Sequence, residues 1–165
     1  MSNFFETRER TIRYETFEIY HPAVGVHRRV KGQFFDKQFK LEATAPRNAS
    51  EIVTFEPAAF ETQHPEVSED SVLTMTTQMG NIGSMIKSYL KQIKAYDMAL
   101  PNTTATEYIY REFINGVPSV IYLWISNFSI QGDSVAFVAS DDNPNSINVA
   151  KLYKAQNFPG LRVIS

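Results

Sequence analysis

The chain has 165 residues, with 16 basic against 18 acidic side chains, a formal charge of −2, 43% hydrophobic residues and no cysteine. This length suits one domain with its own core, and the composition excludes a disordered chain. Without cysteine there is no disulfide, thiolate zinc site, cysteine-ligated cluster or cysteine nucleophile, and the near-neutral balance gives neither bulk attraction to nucleic acid or anionic membrane nor strong repulsion between copies.

The N-terminal stretch, residues 1–13, reads as an arm or short helix ahead of a single domain over 14–165. Asn3 with Glu6 three positions later resembles a capping box. The start is charged early and lacks an apolar signal core, so synthesis in a cytoplasm is expected. Tyr14 to Tyr20 alternates as a strand, with Phe17 and Ile19 on one face and Glu15 and Glu18 in polar positions. His21-Pro22 ends it, because proline cannot continue a ladder. Val24 to Val30 is a second strand. Over Gln33 to Ala43, Phe35, Phe39, Leu41 and Ala43 share one face and Asp36, Gln38 and Lys40 the other, which predicts an edge strand with Phe35 and Phe39 in the core.

A polar loop at 45–50 leads to a strand from Ile52 to Phe60, broken by Pro57. A second polar connection, 64–70, leads to a strand over Ser71 to Met79 with Leu73, Met75 and Met79 together. Ile82 to Tyr96 is the clearest helix. Ile82, Met85, Ile86, Tyr89, Leu90 and Ile93 form its apolar stripe, and Lys87, Lys91 and Lys94 lie off it. Thr106 to Ile114, Val117 to Ile130 and Val135 to Ala139 predict a three-stranded meander, turned at Asn115-Gly116 and at 131–134. The middle strand is apolar on both faces near Trp124, as in a strand buried on both sides. Ser146 to Gln156 predicts a short helical turn. The longest apolar run, Val120 to Ile125, is far below the ~20 residues a spanning helix needs. Short strands, turn signals and one helix predict a mainly β fold: an antiparallel split barrel or sandwich of about eight strands with one inserted amphipathic helix.

Motifs for chemistry are sparse. His21, His27 and His64 lack the i, i+4 spacing of a metal pair and read as exposed strand or loop histidines. The acids at Glu66, Glu69, Asp70 and at Asp141, Asp142 lack the order of a calcium loop and read as solvated turns. There is no nucleophile elbow, phosphate-binding glycine loop or dinucleotide fingerprint, so neither catalytic residue, cofactor nor metal is expected. The lysine face of the helix reads as solvated, or as a partner- or channel-facing basic surface that would bind weakly and salt-sensitively. Tyr108, Tyr110, Tyr122 and Tyr153 are candidates for an interface, since tyrosine joins apolar area to a polar tip. The same aromatic content would suit a carbohydrate platform.

Several segments, in order, carry a resemblance: Phe17-Glu18-Ile19-Tyr20-His21-Pro22, Arg28-Arg29-Val30, Pro57-Ala58-Ala59-Phe60, the Leu/Thr strand from Leu73 to Asn81 with the helix after it, and the terminal Phe158-Pro159-Gly160. From about Tyr14 to Leu161 the chain resembles short tail-tip proteins of long-tailed bacteriophages, catalogued as a domain of unknown function, and the first domain of the lambda-like tail-tip protein L. The cysteine-rich C-terminal portion of those L proteins has no counterpart here. The resemblance implies a non-enzymatic virion protein at the tail tip. It implies a baseplate-hub ring, threefold rather than sixfold, joining the distal tail tube to the central receptor-binding or fibre protein. The implied partners are further copies and neighbouring tail proteins, with no membrane and no sequence-specific nucleic acid. Interface candidates are Phe4, Phe5, Pro57, Phe158, Pro159, Gly160 and Leu161. A distal-tail adaptor ring, a tail assembly protein, a β-sandwich carbohydrate-binding module and a carboxylate hydrolase are the alternatives.

Overall fold

The structure is a computed structural model that describes residues 11–64, 73–80, 83–99 and 105–143. Nine strands and one helix follow in the order β1 (Arg13–His21), β2 (Gly25–Lys31), β3 (Lys37–Lys40), β4 (Ile52–Ala58), β5 (Phe60–Gln63), β6 (Thr74–Met79), α1 (Gly83–Ala99), β7 (Thr106–Ile114), β8 (Val117–Gln131) and β9 (Ser134–Ser140). They form one mixed sheet in the order β3-β4-β2-β1-β7-β8-β9-β6-β5. The fold is mainly β with a single helix, as the alternation predicts, and the 106–140 meander forms in full.

The two ends of that sheet are joined by the chain itself. Only Ala59 separates β4, which pairs with β2, from β5, which pairs with β6. The stretch 52–63 therefore carries the sheet round into a barrel of seven staves: β1, β2, β4 with β5, β6, β9, β8 and β7. All neighbours are antiparallel except β2 and β4, which corrects the expected all-antiparallel sheet. Pro57 does not break the strand. Ala58 O accepts from Gly32 N toward β2. Strand alternation therefore aims the donor Pro57 lacks at the other edge, where the β3 ladder ends at Phe55.

Inside the barrel Phe17, Phe60, Met75, Met79, Tyr108, Leu123 and Phe137 form the principal core. Phe17 packs edge-on against Phe60 and Phe137, with centroids 4.8 and 6.0 Å away. The Tyr108 hydroxyl, buried among them, meets Thr77 Oγ1 at 2.9 Å. Burial pushes its phenol well above the usual tyrosine range. A second, smaller core lies outside the barrel. There β3 and the following loop fold back so that Phe39 stacks on Phe113 at 4.2 Å, beside Tyr14 and Phe55.

Local expectations shift where long-range packing decides. The third strand covers only Lys37–Lys40, and Phe35 is 79% exposed rather than core. Gly32, at φ +63°, turns the chain out of β2, so residues 33–36 lie in a loop. β8 is buried on one face only. Leu123 and Ile125 point inward, Tyr122 is exposed and Trp124 is half-buried on the outer face. Tyr108 and Tyr110 are core residues, not an interface. The helix begins and ends slightly later than its stripe suggests. The N-terminal helix, the helical turn at 146–156 and Tyr153 lie outside the described residues.

The two phenylalanine positions separate cleanly by energy. Phe17→Ala is expected to cost about 3–5 kcal/mol in urea unfolding, because the barrel cannot collapse around the void. Phe35→Ala is expected to stay within about 0.5 kcal/mol of the wild type.

Candidate functional site

Among the described residues the two most exposed aromatic side chains are neighbours in the chain. Phe34 is 94% exposed and Phe35 79% exposed, in the loop between β2 and β3. Exposing two adjacent rings forfeits burial worth roughly 1.5–3 kcal/mol each, which makes the tip a candidate contact surface. Beside it β3 is an edge strand among the described residues, paired there with β4 alone. Lys37 and Lys40 stand on that edge, and such charges discourage unspecific strand addition. Below the tip a cleft of about 390 Å³ opens at the barrel seam, lined by Lys31, Gly32, Ala59, Phe60, Met79 and Gly80.

What fixes this edge is a buried ion network. Glu18, on the outer face of β1, is fully buried. Its Oε2 accepts from Arg28 Nε at 2.9 Å and from Arg111 Nη1 at 3.1 Å, and its Oε1 accepts from Arg47 Nε at 3.2 Å. Arg111, also fully buried, donates from Nε and Nη2 to Glu42 at 3.0–3.1 Å. Tyr122 adds its hydroxyl to Glu42 at 2.8 Å. Arg47 continues to Glu107 at 2.8 Å and lies 4.0 Å over the Tyr20 ring. Three guanidinium groups thus meet three carboxylates, and the loop after β3 supplies Glu42 and Arg47. The polar position predicted for Glu18 is correct in chemistry, but it is sealed from water by that loop.

At one end of the barrel α1 lies across the mouth. His27 stacks on Tyr89, with centroids 4.1 Å apart. Burial draws the His27 pKa below 6.5, against the Val24 carbonyl, and the Arg29 charge adds to the decrease. Arg29 pairs with Glu56 and reaches Met85 Sδ at 3.3 Å. His21 is fully buried, not exposed. Its Nδ1 accepts from Ala23 N at 3.2 Å, which leaves the proton on Nε2, 3.4 Å from Asp97 Oδ1, with Tyr96 edge-on. The space left between α1 and the barrel is about 30 Å³, room for a water rather than a ligand.

At the opposite end β1 starts and β7 turns into β8. Ile12, Ile114 and Val117 are exposed around the Asn115-Gly116 turn, and Asn115 N donates to Ile12 O at 2.9 Å. Asp141 and Asp142, which follow β9, are exposed. Inside this mouth Tyr110 OH meets His64 Nε2 at 3.4 Å. Burial, then Glu15 and Glu112, push the Tyr110 phenol far up.

Of the residues singled out from sequence, Lys91 and Lys94 stand exposed on α1. Lys87 is half-buried and donates to Gly132 O at 2.7 Å, so it ties the helix to the β8–β9 turn. Pro57 is half-buried in β4. Phe4, Phe5, Phe158, Pro159, Gly160 and Leu161 lie outside the described residues, as do Glu66, Glu69 and Asp70. Phe34 was legible only as one of two adjacent phenylalanines after a glycine. Glu18 and Arg111 carried no local signal.

Two outcomes follow for the network. Glu18→Gln leaves Arg111 and Arg47 short of a buried counter-charge and is expected to cost about 3–5 kcal/mol by chemical denaturation. Replacing Glu18 and Arg111 together by leucine and methionine recovers much of that loss. Burial alone would raise the Glu42 pKa, but hydrogen bonds from Arg111, its own backbone and Tyr122 outweigh it and hold the carboxyl below 4.5. A depressed folded value means the stabilisation is complete above 4.5 and is lost as pH falls through the lower folded value. Acid-unfolding curves of Glu42→Gln should therefore be flatter than wild type below 4.5.

Among curated proteins no sequence matches the chain. A family model does match, over residues 1–113, through α1 to Phe113 near the end of β7. The chain belongs to the family described as a domain of unknown function, DUF1833.

Proposed function

We propose that this protein is a structural, non-enzymatic component of the tail tip of a long-tailed bacteriophage. It acts as a ring-forming baseplate hub between the distal tail tube and the central receptor-binding or fibre protein. The observation that carries the reading is the Phe34-Phe35 tip beside the open edge of β3, a contact surface built into the strand edge and braced by a buried ion network. The motifs behind the resemblance to tail-tip proteins support it, because they fall where the barrel is assembled. His21-Pro22 closes β1 beneath α1, Arg28 and Arg29 hold the outer loop and the helix, and Pro57 to Phe60 is the stretch that closes the barrel. The near-neutral charge supports it too, since copies repel one another little.

The decisive experiment is the copy number of the chain in purified phage particles, by quantitative mass spectrometry against the major tube protein. A fixed threefold complement is the expected result. A sixfold complement would move the protein to a distal-tail ring, and absence from otherwise complete particles would make it an assembly factor and overturn the reading. Phe34→Ser with Phe35→Ser is expected to leave thermal stability unchanged while lowering incorporation at least tenfold, a difference of about 1.4 kcal/mol.

A further inference from the structure

Strand β8 is longer than either of its neighbours, and part of one edge faces no strand. The Asn115-Gly116 turn makes Ile114 and Val117 a hydrogen-bonded pair, so residues 117, 119, 121 and 123 turn their N–H and C=O groups toward β7. Residues 118, 120 and 122 turn theirs the other way. On that side β9 runs only as far as Ser140, opposite Trp124, and Asp141 N then bonds Leu73 O toward β6. Among the described residues the main-chain groups of Val120 and Tyr122 therefore have no ladder partner. Pro118, which lacks a donor, suits such an edge. The edge is also unguarded. β3 carries Lys37 and Lys40, whereas Val117 to Gln131 contains no charged residue, and Val117 is 70% and Tyr122 41% exposed. An apolar edge with unpaired backbone groups is a template for a further strand.

We propose that Leu161-Arg162-Val163-Ile164 of the same chain adds to this edge of β8 as a strand. The contact does not depend on the tail-tip reading. The chain leaves β9 beside the edge, since Ser140 is opposite Trp124, and from there to Pro118 is about 20 Å at ~3.4 Å per residue. β9 does not simply run on, because the chain bends at Asp141 and Asp142 and Pro144 has no donor. Residues 144–160 lie between, and seventeen residues reach roughly 55 Å when extended, so the segment can return to the edge. Its four residues include two β-branched ones and no proline or glycine. As a strand it sets Leu161 and Val163 on one face and Arg162 and Ile164 on the other. A tethered segment also has an effective concentration that a separate chain lacks. The β8 edge of a second copy fits less well. Pairing about Val120 would set each Pro118 opposite a Tyr122 and leave that tyrosine's carbonyl without a donor, twice over.

Amide exchange followed by NMR on the full chain tests the pairing. The Val120 and Tyr122 amides should exchange at least about tenfold more slowly than unpaired amides. In L161P/V163P both should become fast, while Ile121 and Leu123, bonded to β7, keep their protection. A second readout holds even if that variant unfolds and Ile121 and Leu123 exchange as well. The chain has no cysteine, so S165C gives a unique site for a nitroxide. The label should broaden the Val120 and Tyr122 signals of its own chain. It should leave them sharp when spin-labelled chains are mixed with isotope-labelled chains that carry no nitroxide. Fast exchange of both amides in the wild type, protection that survives the two prolines, or a nitroxide that broadens neither signal would each overturn the proposal. So would broadening in the mixed sample, which would make the added strand one exchanged between copies.

Discussion

A barrel with seven staves cannot be closed by antiparallel pairs alone. Going once round an odd count returns a strand of the wrong direction, so one pair must be parallel. Here that pair is β2 with β4, over only three residue pairs. A parallel pair needs a long crossover, normally a helix laid on the sheet. This chain uses residues 32–51 instead, made of an aromatic tip, the short strand β3 and a loop. The second core, the exposed edge and the buried ions all follow from that substitution.

A crossover without a helix has few backbone hydrogen bonds of its own. Leu41 N to Glu51 O at 2.9 Å and Ser50 N to Glu42 O at 3.2 Å pinch the loop, with Asn48 and Ser50 at positive φ. What seats it on the barrel is side-chain chemistry. Phe39, Leu41 and Ala45 bury apolar area against Val30 and Phe113. Glu42 and Arg47 reach Arg111 and Glu18. Removing two fully buried charges from water is costly, and a leucine core of the same shape would hold at least as well. The ion network serves position more than strength. A slip of the loop by one residue would cost Arg111 its bonds to Glu42 and Glu18 its bond from Arg47, whereas an apolar patch would tolerate it.

The sequence was most legible where a feature is decided by a few neighbours. Asn115-Gly116, at φ 49° and 84°, turns β7 into β8 as its residue types require. The stripe of α1 and the period-two strands likewise come from local pattern. Legibility failed where a partner far along the chain decides burial. Glu18 alternates like a surface residue, and partners far along the chain, Arg47 and, 93 positions away, Arg111, make it interior. Phe35 fits an apolar alternation with Phe39 and Leu41, yet the strand starts two residues later because the chain must first turn out of β2 at Gly32. Pro57 looked like a strand breaker, and is tolerated because the β3 ladder, on the edge its missing donor faces, has already ended at Phe55. His21 and His27 gave no sign that α1 would fold across them. Of the candidate surface, the lysines of α1 were readable and the Phe34 tip was not, since exposure of an apolar ring is a property of the fold.

The distribution of what remains exposed bears on how the molecule is used. A barrel of this kind consumes its inward apolar residues in the core, and scattered exposed aliphatics need no explanation. Here several of the exposed ones are grouped: Phe34 and Phe35 at the strand edge, Ile12, Ile114 and Val117 around the β7–β8 turn, and Met85 and Met98 on the helix across the other end. A ring component needs two kinds of contact, one to its next copy and one to the layers above or below. The aliphatic groups around the β7–β8 turn would suit the first. An aromatic edge outside the barrel would suit the second, because it lies on a different part of the fold. Separating the two on different parts of one fold lets either be altered without disturbing the barrel, and the crossover that closure demands is what supplies the edge.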